Sequence, residues 1–203
     1  MTMRLNTGRS QQKERTRAAI VGAARTAISS GGEVTMPDVA RRAMVSEATA
    51  YRYFPDLASL LREVLAGAWD SPQQAMEPVA RSGDPVERIG FATEVLLREV
   101  LAYQGAVRAM IAASITRPQL TTLRPGRRLG LIDEALRPLA ETMAAQQPAQ
   151  FEQLKRSLAV VISAEALFTL TDLCGLPPET AIASVVQTAC SLTAAALAGA
   201  SRP

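Results

Sequence analysis

Histidine is absent from the 203-residue chain, and cysteine occurs only at Cys174 and Cys190. The lack of histidine excludes Ser-His-Asp triads, imidazole acid–base catalysis and most zinc sites. Two cysteines that are well separated in sequence do not indicate a disulfide framework. A Gly-rich phosphate-binding loop is missing as well. These absences argue against an enzyme, and we predict no catalytic residue, no metal site and no cofactor.

Long uninterrupted apolar runs are also missing. The most apolar stretch, residues 158–170, contains Glu165 and is shorter than the roughly 20 residues that cross a bilayer. The N-terminus has no hydrophobic signal-peptide segment. The sequence therefore predicts a cytoplasmic protein without a membrane partner. Hydrophobic residues still make up 48% of the chain, which is enough for a substantial core.

Positive charge is concentrated in the N-terminal third of the chain. Residues 1–62 contain ten Lys and Arg against five Asp and Glu, a net charge of +5, whereas residues 63–203 carry −2. A protein that binds DNA must neutralise phosphates, and such a bias suits that role. A solvated basic surface would give the same bias, so charge alone does not decide the function.

Residues 34–61 predict two short helices joined by a tight turn and followed at once by a third helix. Thr35 and Ser46 are suitable N-cap residues for the first two helices. Pro55 ends the second helix, and Asp56 caps the third. A turn this short forces the first two helices to cross steeply, which is the helix-turn-helix arrangement. A surface pair of helices with no nucleic-acid role is the alternative interpretation.

The second of these helices, residues 47–54, carries side chains that suit DNA recognition. Threonine, tyrosine and arginine hydrogen-bond to phosphates or base edges, and alanine and threonine methyl groups contact the thymine methyl. Together with the start of the preceding helix, it provides the predicted DNA-binding residues, which are Thr35, Met36, Glu47, Ala48, Thr49, Tyr51, Arg52 and Tyr53.

A longer helix over residues 13–30 is predicted to precede the helix-turn-helix. Residues 1–12 are polar, and we expect them to be disordered. Gly31 and Gly32 are expected to end the helix. Arg15 and Arg17 lie in its first turns, where an arginine side chain could reach a phosphate.

This N-terminal pattern resembles the DNA-binding domain of the TetR family of bacterial transcriptional repressors, over residues 14–62. The matching residues are Thr35, Val39, Ala40, Ala43, Val45, Ser46, Thr49, Tyr51, Tyr53, Phe54, Leu60 and Leu61. The resemblance implies a dimer that places two recognition helices in successive major grooves of a palindromic operator. It also implies release of the operator when a small-molecule effector binds.

Two positions depart from the family pattern. The family usually has glycine in the turn, where this chain has Met44. If the turn requires positive φ, methionine costs about 1 kcal/mol there. The family also usually has lysine at the start of the following helix, where it contacts phosphate, and this chain has Leu57. One phosphate contact is therefore missing from the family pattern.

The remaining sequence predicts helices over residues 57–69, 84–102, 106–116, 127–143, 149–174 and 179–199, with no strands. The expected architecture is all-α. Residues 1–62 form a three-helix DNA-binding domain with the helix-turn-helix, and residues 63–203 form a helical domain for effector binding and dimerisation. The last two helices are the most apolar, and residues 151–174 and 179–199 are predicted to form the homodimer interface. An ordinary monomer core is the alternative.

Small residues at helical spacing in the last helix provide the predicted seam of that interface. They are Ala181, Ser184, Val185, Thr188, Ala189, Leu192 and Ala195.

Effector-binding candidates are the large or charged side chains of the C-terminal region that could line a cavity. They are Trp69, Phe91, Tyr103, Met110, Glu165 and Phe168. Glu165 interrupts an apolar run, so it could bind an effector, pair with an arginine such as Arg108, or face a second subunit.

The predicted function is that of a DNA-binding transcriptional regulator, a repressor released from a palindromic operator by a small-molecule effector. The alternative is a helical small-molecule-binding or interaction protein whose helix-turn-helix is only structural.

Overall fold

The computed structural model describes residues 5–29, 34–116, 126–140 and 142–200. These ranges contain helices and no strand, which confirms the predicted all-α class. The helices are α1 (Leu5–Ser29), α2 (Met36–Arg42), α3 (Glu47–Tyr53), α4 (Leu57–Ala66), α5 (Pro72–Ala75), α6 (Pro85–Ala102), α7 (Gln104–Thr116), α8 (Arg127–Ala135), α9 (Arg137–Ala140), α10 (Met143–Gln146), α11 (Pro148–Val161), α12 (Ala164–Phe168) and α13 (Pro178–Ala200).

The chain forms two compact units. The first combines the described parts of Met1–Trp69 and Tyr103–Pro125, and thus contains α1 to α4 and α7. The second combines those of Asp70–Ala102 and Gly126–Pro203, and contains α5, α6 and α8 to α13. This division reflects packing and not function. The boundary at residue 62 between a DNA-binding and an effector domain stays a prediction.

In the first unit, α4 is apolar on two sides because it packs against both α1 and α7. Its residues Leu60, Leu61, Val64 and Leu65 are all fully buried. On α1, Ile20 is likewise fully buried. The hydrophobic side chains at this spacing hold the helix-turn-helix on a rigid base.

The second unit is built on the packing of α6 against α13. Gly90 of α6 permits a close approach, since a Cβ atom at this position would lie 3.1 Å from the Cys190 Sγ of α13. Arg88 of α6 is fully buried and donates to backbone carbonyls, among them that of Ala135 at the end of α8. An arginine that is fully buried thus fixes the end of a neighbouring helix.

Helix α1 begins earlier than predicted. It starts at Leu5, so the expectation that residues 1–12 are disordered is wrong for residues 5–12. Gln11 to Glu14 are good helix formers with no proline among them, and the helix therefore extends through this polar stretch. The proposed glycine ending at Gly31 and Gly32 lies outside the described residues.

Two predicted helices are broken in the structure. The helix expected over 149–174 ends at Val161, because Ser163 is extended (φ −146°, ψ 152°) and caps α12 by accepting from the Ala166 amide. A π-helical segment over Thr169–Leu173 follows. The helix expected over 127–143 is divided into α8 and α9, where Pro138 lacks the amide hydrogen that a continuous helix needs.

Helix α13 corrects the expectation that no segment reaches the length of a membrane span. Pro178–Gly199 has 22 residues and a mean hydropathy of 1.6, although Ser, Thr and Gln interrupt its apolar runs. Only 28% of its most apolar part is buried within the chain. By length and composition alone, this is the one described helix that could cross a membrane, and a core helix of a soluble protein passes the same test.

The predicted seam on α13 lies partly on the wrong face. Ala181, Val185 and Ala189 are buried within the chain, with exposed fractions of 3% or less. Sequence spacing identifies a stripe of small residues but not the side from which α6 covers it. An outward stripe remains, and it carries no charged residue: Ser184, Gln187, Thr188, Ser191, Ala194, Ala195 and Ala198.

Candidate nucleic-acid interface

Side-chain caps fix the start of each helix in the helix-turn-helix region, as predicted. Thr35 Oγ1 accepts from the Asp38 amide at 3.3 Å, and Ser46 Oγ accepts from the Thr49 amide at 3.2 Å. Asp56 Oδ1 accepts from the Ser59 amide at 2.7 Å. Each cap satisfies a backbone donor that has no partner within its own helix, and so α2, α3 and α4 begin where these polar residues stand.

The turn between α2 and α3 requires a left-handed residue. Met44 has φ +54° and is 92% exposed, so its side chain gains little from packing. Its amide donates to the Arg41 carbonyl at 3.1 Å, and the Val45 amide donates to the Ala40 carbonyl at 3.0 Å. The condition of positive φ is therefore met at this position, and methionine carries the cost there.

Helix α3 has one buried side and one exposed side. Ala50 is fully buried, and the residue that ends the helix, Phe54, is 2% exposed. Tyr51 is 46% exposed, although it is a large hydrophobic residue. The remaining predicted contacts of α3 range from exposed to half-buried, as follows: Glu47, Ala48 and Arg52 are exposed, and Thr49 and Tyr53 are half-buried. The exposed side presents hydroxyl, guanidinium and methyl groups to solvent.

Two of the residues expected near DNA are used inside the protein instead. Met36 is 3% exposed and its side chain belongs to the core, so burial argues against a side-chain contact between Met36 and DNA. Arg17 donates from Nε to Glu63 Oε1 at 3.0 Å, and its guanidinium lies 4.8 Å from the Phe54 ring centroid. Arg17 therefore ties α1 to α4. Near the helix-turn-helix, sequence spacing alone does not show whether a side chain is buried in the core or exposed to a partner.

Sequence reasoning missed a cleft formed by α1 and α3. Gln12, Lys13, Arg52 and Tyr53 line a space of about 370 Å³. The helix propensity of residues 11–14 is a sequence signal for this part of α1, although their polar composition alone favours disorder.

The six predicted effector residues are not brought into one described site. Trp69, Tyr103 and Met110 belong to the first unit, and the other three belong to the second. The Trp69 and Tyr103 rings meet edge to face, with centroids 6.2 Å apart and an interplanar angle of 81°. The Trp69 indole Nε1 is buried and has no hydrogen-bond acceptor within the described residues.

In the second unit, Glu165 pairs with Arg128. Its Oε2 accepts from Arg128 Nη2 at 3.1 Å, and Arg128 also donates to the Ala159 carbonyl at 2.8 Å. Phe91 and Phe168 are half-buried. A separate surface groove of about 320 Å³ contains none of the six residues, and it is lined by Met143, Gln150, Gln153, Leu154, Ser157, Leu192, Ala196 and Gly199.

The capped α2–turn–α3 pair, with its exposed polar side and its base of α1 and α4, places the N-terminal segment among the helix-turn-helix DNA-binding proteins. Residues 20–64 match the family model described as bacterial regulatory proteins, tetR family. The segment is therefore a TetR-family helix-turn-helix, and the match supports a DNA-binding transcriptional regulator of that family. No curated protein matches the chain.

Proposed function

We propose that this protein is a homodimeric repressor that binds a palindromic operator and leaves it when a small-molecule effector binds. The observation that carries the proposal is that α3 has one buried side and one exposed polar side. Buried Ala50 and Phe54 hold this helix on the core while Tyr51 and Arg52 point outward. Such a helix presents side chains to a major groove from a rigid support.

The proposed contacts with DNA divide into base reading and backbone positioning. Ala48 and the Thr49 methyl would touch thymine methyl groups, and Tyr51 would contact a base edge or a phosphate. The Thr49 hydroxyl lies 2.9 Å from the Ser46 Oγ, so the cap also orients Thr49. Thr35 and Tyr53 would contact the DNA backbone. Glu47, at the start of α3, would influence which bases are preferred beside that end of the helix.

Binding to the DNA upstream of the protein's own coding sequence tests the proposal. Fluorescence anisotropy over a salt series should give a binding constant that falls steeply as salt rises, because phosphate contacts release counterions. A scrambled duplex of equal length serves as the control. Absence of any preference for the upstream duplex, together with effector binding, would favour the alternative function, a small-molecule-binding helical protein with a structural helix-turn-helix.

Dimerisation through residues 151–174 and 179–199 is supported by the exposed face of α13. Between Thr180 and Gly199 this helix has no charged residue, although much of its surface is open to solvent in the single chain. On α11, Val160 is a large apolar residue with 74% exposure. A second copy would cover this area, and a two-fold axis would then place two α3 helices about 34–36 Å apart.

A matched pair of alanine-to-glutamate variants tests this interface. Ala195→Glu puts a carboxylate on the outward stripe of α13, and Ala145→Glu puts one on the exposed surface of α10. We expect Ala195→Glu to shift the protein from dimer to monomer in light scattering, because the interface would bury an unpaired charge. Ala145→Glu should stay dimeric. A parent protein that is monomeric at micromolar concentration would contradict the dimer.

The effector is proposed to bind beside Trp69 and Tyr103 in the first unit, where Met110 is a further candidate. Phe91, Phe168 and Glu165 of the second unit stay separate candidates. The buried indole N–H of Trp69 lacks an acceptor within the described residues, and a polar ligand atom would supply one. Trp69 is the only tryptophan of the chain, so its fluorescence reports binding there. A compound that changes this fluorescence should also release the operator. Release without any fluorescence change would move the effector site elsewhere.

We place this regulator in the cytoplasm, where its DNA would be. The proposal assigns it no cofactor and no catalytic step.

A further inference from the structure

The cleft between α1 and α3 combines two cations with two neutral hydrogen-bond donors. Lys13 and Arg52 supply the charges, and the Gln12 amide and the Tyr53 hydroxyl supply uncharged donors. No acidic residue lines this space. The composition suits a singly charged phosphodiester, which offers oxygen acceptors and needs positive charge around it.

The cations of this cleft differ from two other basic groups of the first unit, Arg17 and Arg41. Arg17 is bound to Glu63, and Arg41 is bound to Asp38. Lys13 and Arg52 have no acidic partner within the part of the chain that the structure describes, and both are exposed. The Arg52 guanidinium lies 5.7 Å from the Tyr53 ring centroid, a contact that orients it and leaves its charge available.

The position of the cleft fits a contact with the DNA backbone. Arg52 and Tyr53 form the last turn of α3, whereas Glu47 stands at the other end of this helix. Glu14 follows Lys13 along α1 but does not line the cleft. The first turn of α4 supplies no cation, because it begins with Leu57, Ala58 and Ser59.

We propose that Gln12, Lys13, Arg52 and Tyr53 bind one phosphate of the DNA backbone beside the major groove that α3 enters. This inference rests on the proposed function. It gives the first helix a positioning role. The cleft would hold the end of α3 at a fixed depth in the groove and supply phosphate neutralisation that the first turn of α4 does not provide.

The lysine content of the chain offers a direct experiment. Lys13 and Lys155 are the only lysines among 203 residues. Lys155 donates to Asp133 at 2.7 Å, and this hydrogen bond raises the pKa of the Lys155 amine above its usual value. Acetylation of the full-length protein, followed by peptide mass spectrometry, measures the reactivity of each lysine. Duplex DNA should protect Lys13 and leave the reactivity of Lys155 unchanged.

Salt titration of DNA binding provides the second measurement. Lys13→Met should reduce the steepness of log K against log salt by about 0.9 for each phosphate that the variant no longer neutralises. Lys155→Met makes the same change of net charge and should leave the slope as it is in the parent. Lys13→Arg should restore the slope. Circular dichroism checks that each variant is folded.

Each outcome has a defined meaning. DNA binding with Lys13 still reactive and an unchanged slope in Lys13→Met overturns the cleft and leaves the proposed function intact. A parent protein with no salt-dependent DNA binding overturns both. Millimolar inorganic phosphate that protects Lys13 as fully as duplex DNA would show a general anion site and overturn the assignment to the DNA backbone.

Discussion

Two buried arginines of the second unit contrast with two exposed arginines of the first. In the second unit, Arg88 is fully buried and Arg127 is 8% exposed, and both are surrounded by acceptors. In the first, Arg42 and Arg52 extend from α2 and α3 into solvent. A buried guanidinium needs every N–H satisfied, so it fixes its surroundings. An exposed guanidinium keeps its hydration, so it has little desolvation cost and stays available to a binding partner. Arg88 and Arg127 thus stabilise the second unit, whereas Arg42 and Arg52 keep their guanidinium groups at the surface of the first.

The contacts of the two buried arginines show how complete this satisfaction is. Arg88 donates to the carbonyls of Val79, Glu134 and Ala135 at 2.7, 2.6 and 3.0 Å. Arg127 donates from Nε to Glu99 Oε2 at 2.9 Å and from Nη1 to the Asp70 carbonyl. These bonds connect α6 and α8 with the segment around α5. The two arginines therefore fix both ends of α8 in the second unit.

The largest expected effect is that of Arg88→Met. Removing the guanidinium takes one hydrogen bond from each of three backbone carbonyls and the paired cation from Glu134. We therefore expect a loss of about 3–5 kcal/mol in the free energy of unfolding. Urea denaturation measures it. Arg98→Met is the matched control, because Arg98 pairs with Glu94 and Glu179 at the surface and its removal should barely change the midpoint. Equal urea midpoints for Arg88→Met and Arg98→Met would show that the buried arginine stabilises the protein no more than a surface arginine does.

The next effect concerns binding and not stability. Tyr51→Ala should weaken operator binding by about 1–3 kcal/mol, since the side chain is proposed to contact DNA directly. The urea midpoint should stay near that of the parent, because Tyr51 is 46% exposed. Thr49→Ala should behave in the same direction. A variant that unfolds would show that α3 uses Tyr51 for packing.

A gain in stability is expected at the turn of the first unit. Met44→Gly should raise the free energy of unfolding by about 1 kcal/mol, because glycine adopts φ +54° without the steric cost that methionine has. The reverse substitution, Gly175→Met, should lower the free energy of unfolding by a similar amount, because Gly175 has φ +66°. Thermal or urea denaturation measures both. A destabilised Met44→Gly would mean that the exposed methionine makes a contact not seen in the single chain.

The smallest effect compares two glycines inside helices. A Cβ atom at Gly22 of α1 would meet nothing within 4 Å, so Gly22→Ala should stabilise the protein by about 0.5–1 kcal/mol through helix propensity. At Gly90 of α6 the same change pushes against Cys190 and should bring no gain. Equal gains at both sites, measured by denaturation, would show that α6 and α13 separate without cost.

The sequence alone determined the local structure of the N-terminal segment. Thr35, Ser46 and Asp56 specify helix starts through hydrogen bonds to nearby amides, and Pro55 prevents continuation of α3. These are interactions between residues three or fewer positions apart, so the sequence contains all the information they need. The all-α class followed from the helical spacing of apolar residues. Attention to the backbone at Met44 came instead from the resemblance to a family that usually has glycine there.

Only the tertiary structure decided which polar side chains are free to act. Arg17 is held by Glu63, 46 positions away, and Met36 is buried by neighbouring helices, whereas Lys13 and Arg52 meet in a cleft. Ala189 of the predicted seam is fully buried within its own chain. Each of these outcomes depends on helices that are distant in sequence, because burial is set by packing between elements and periodicity gives only the spacing along one element.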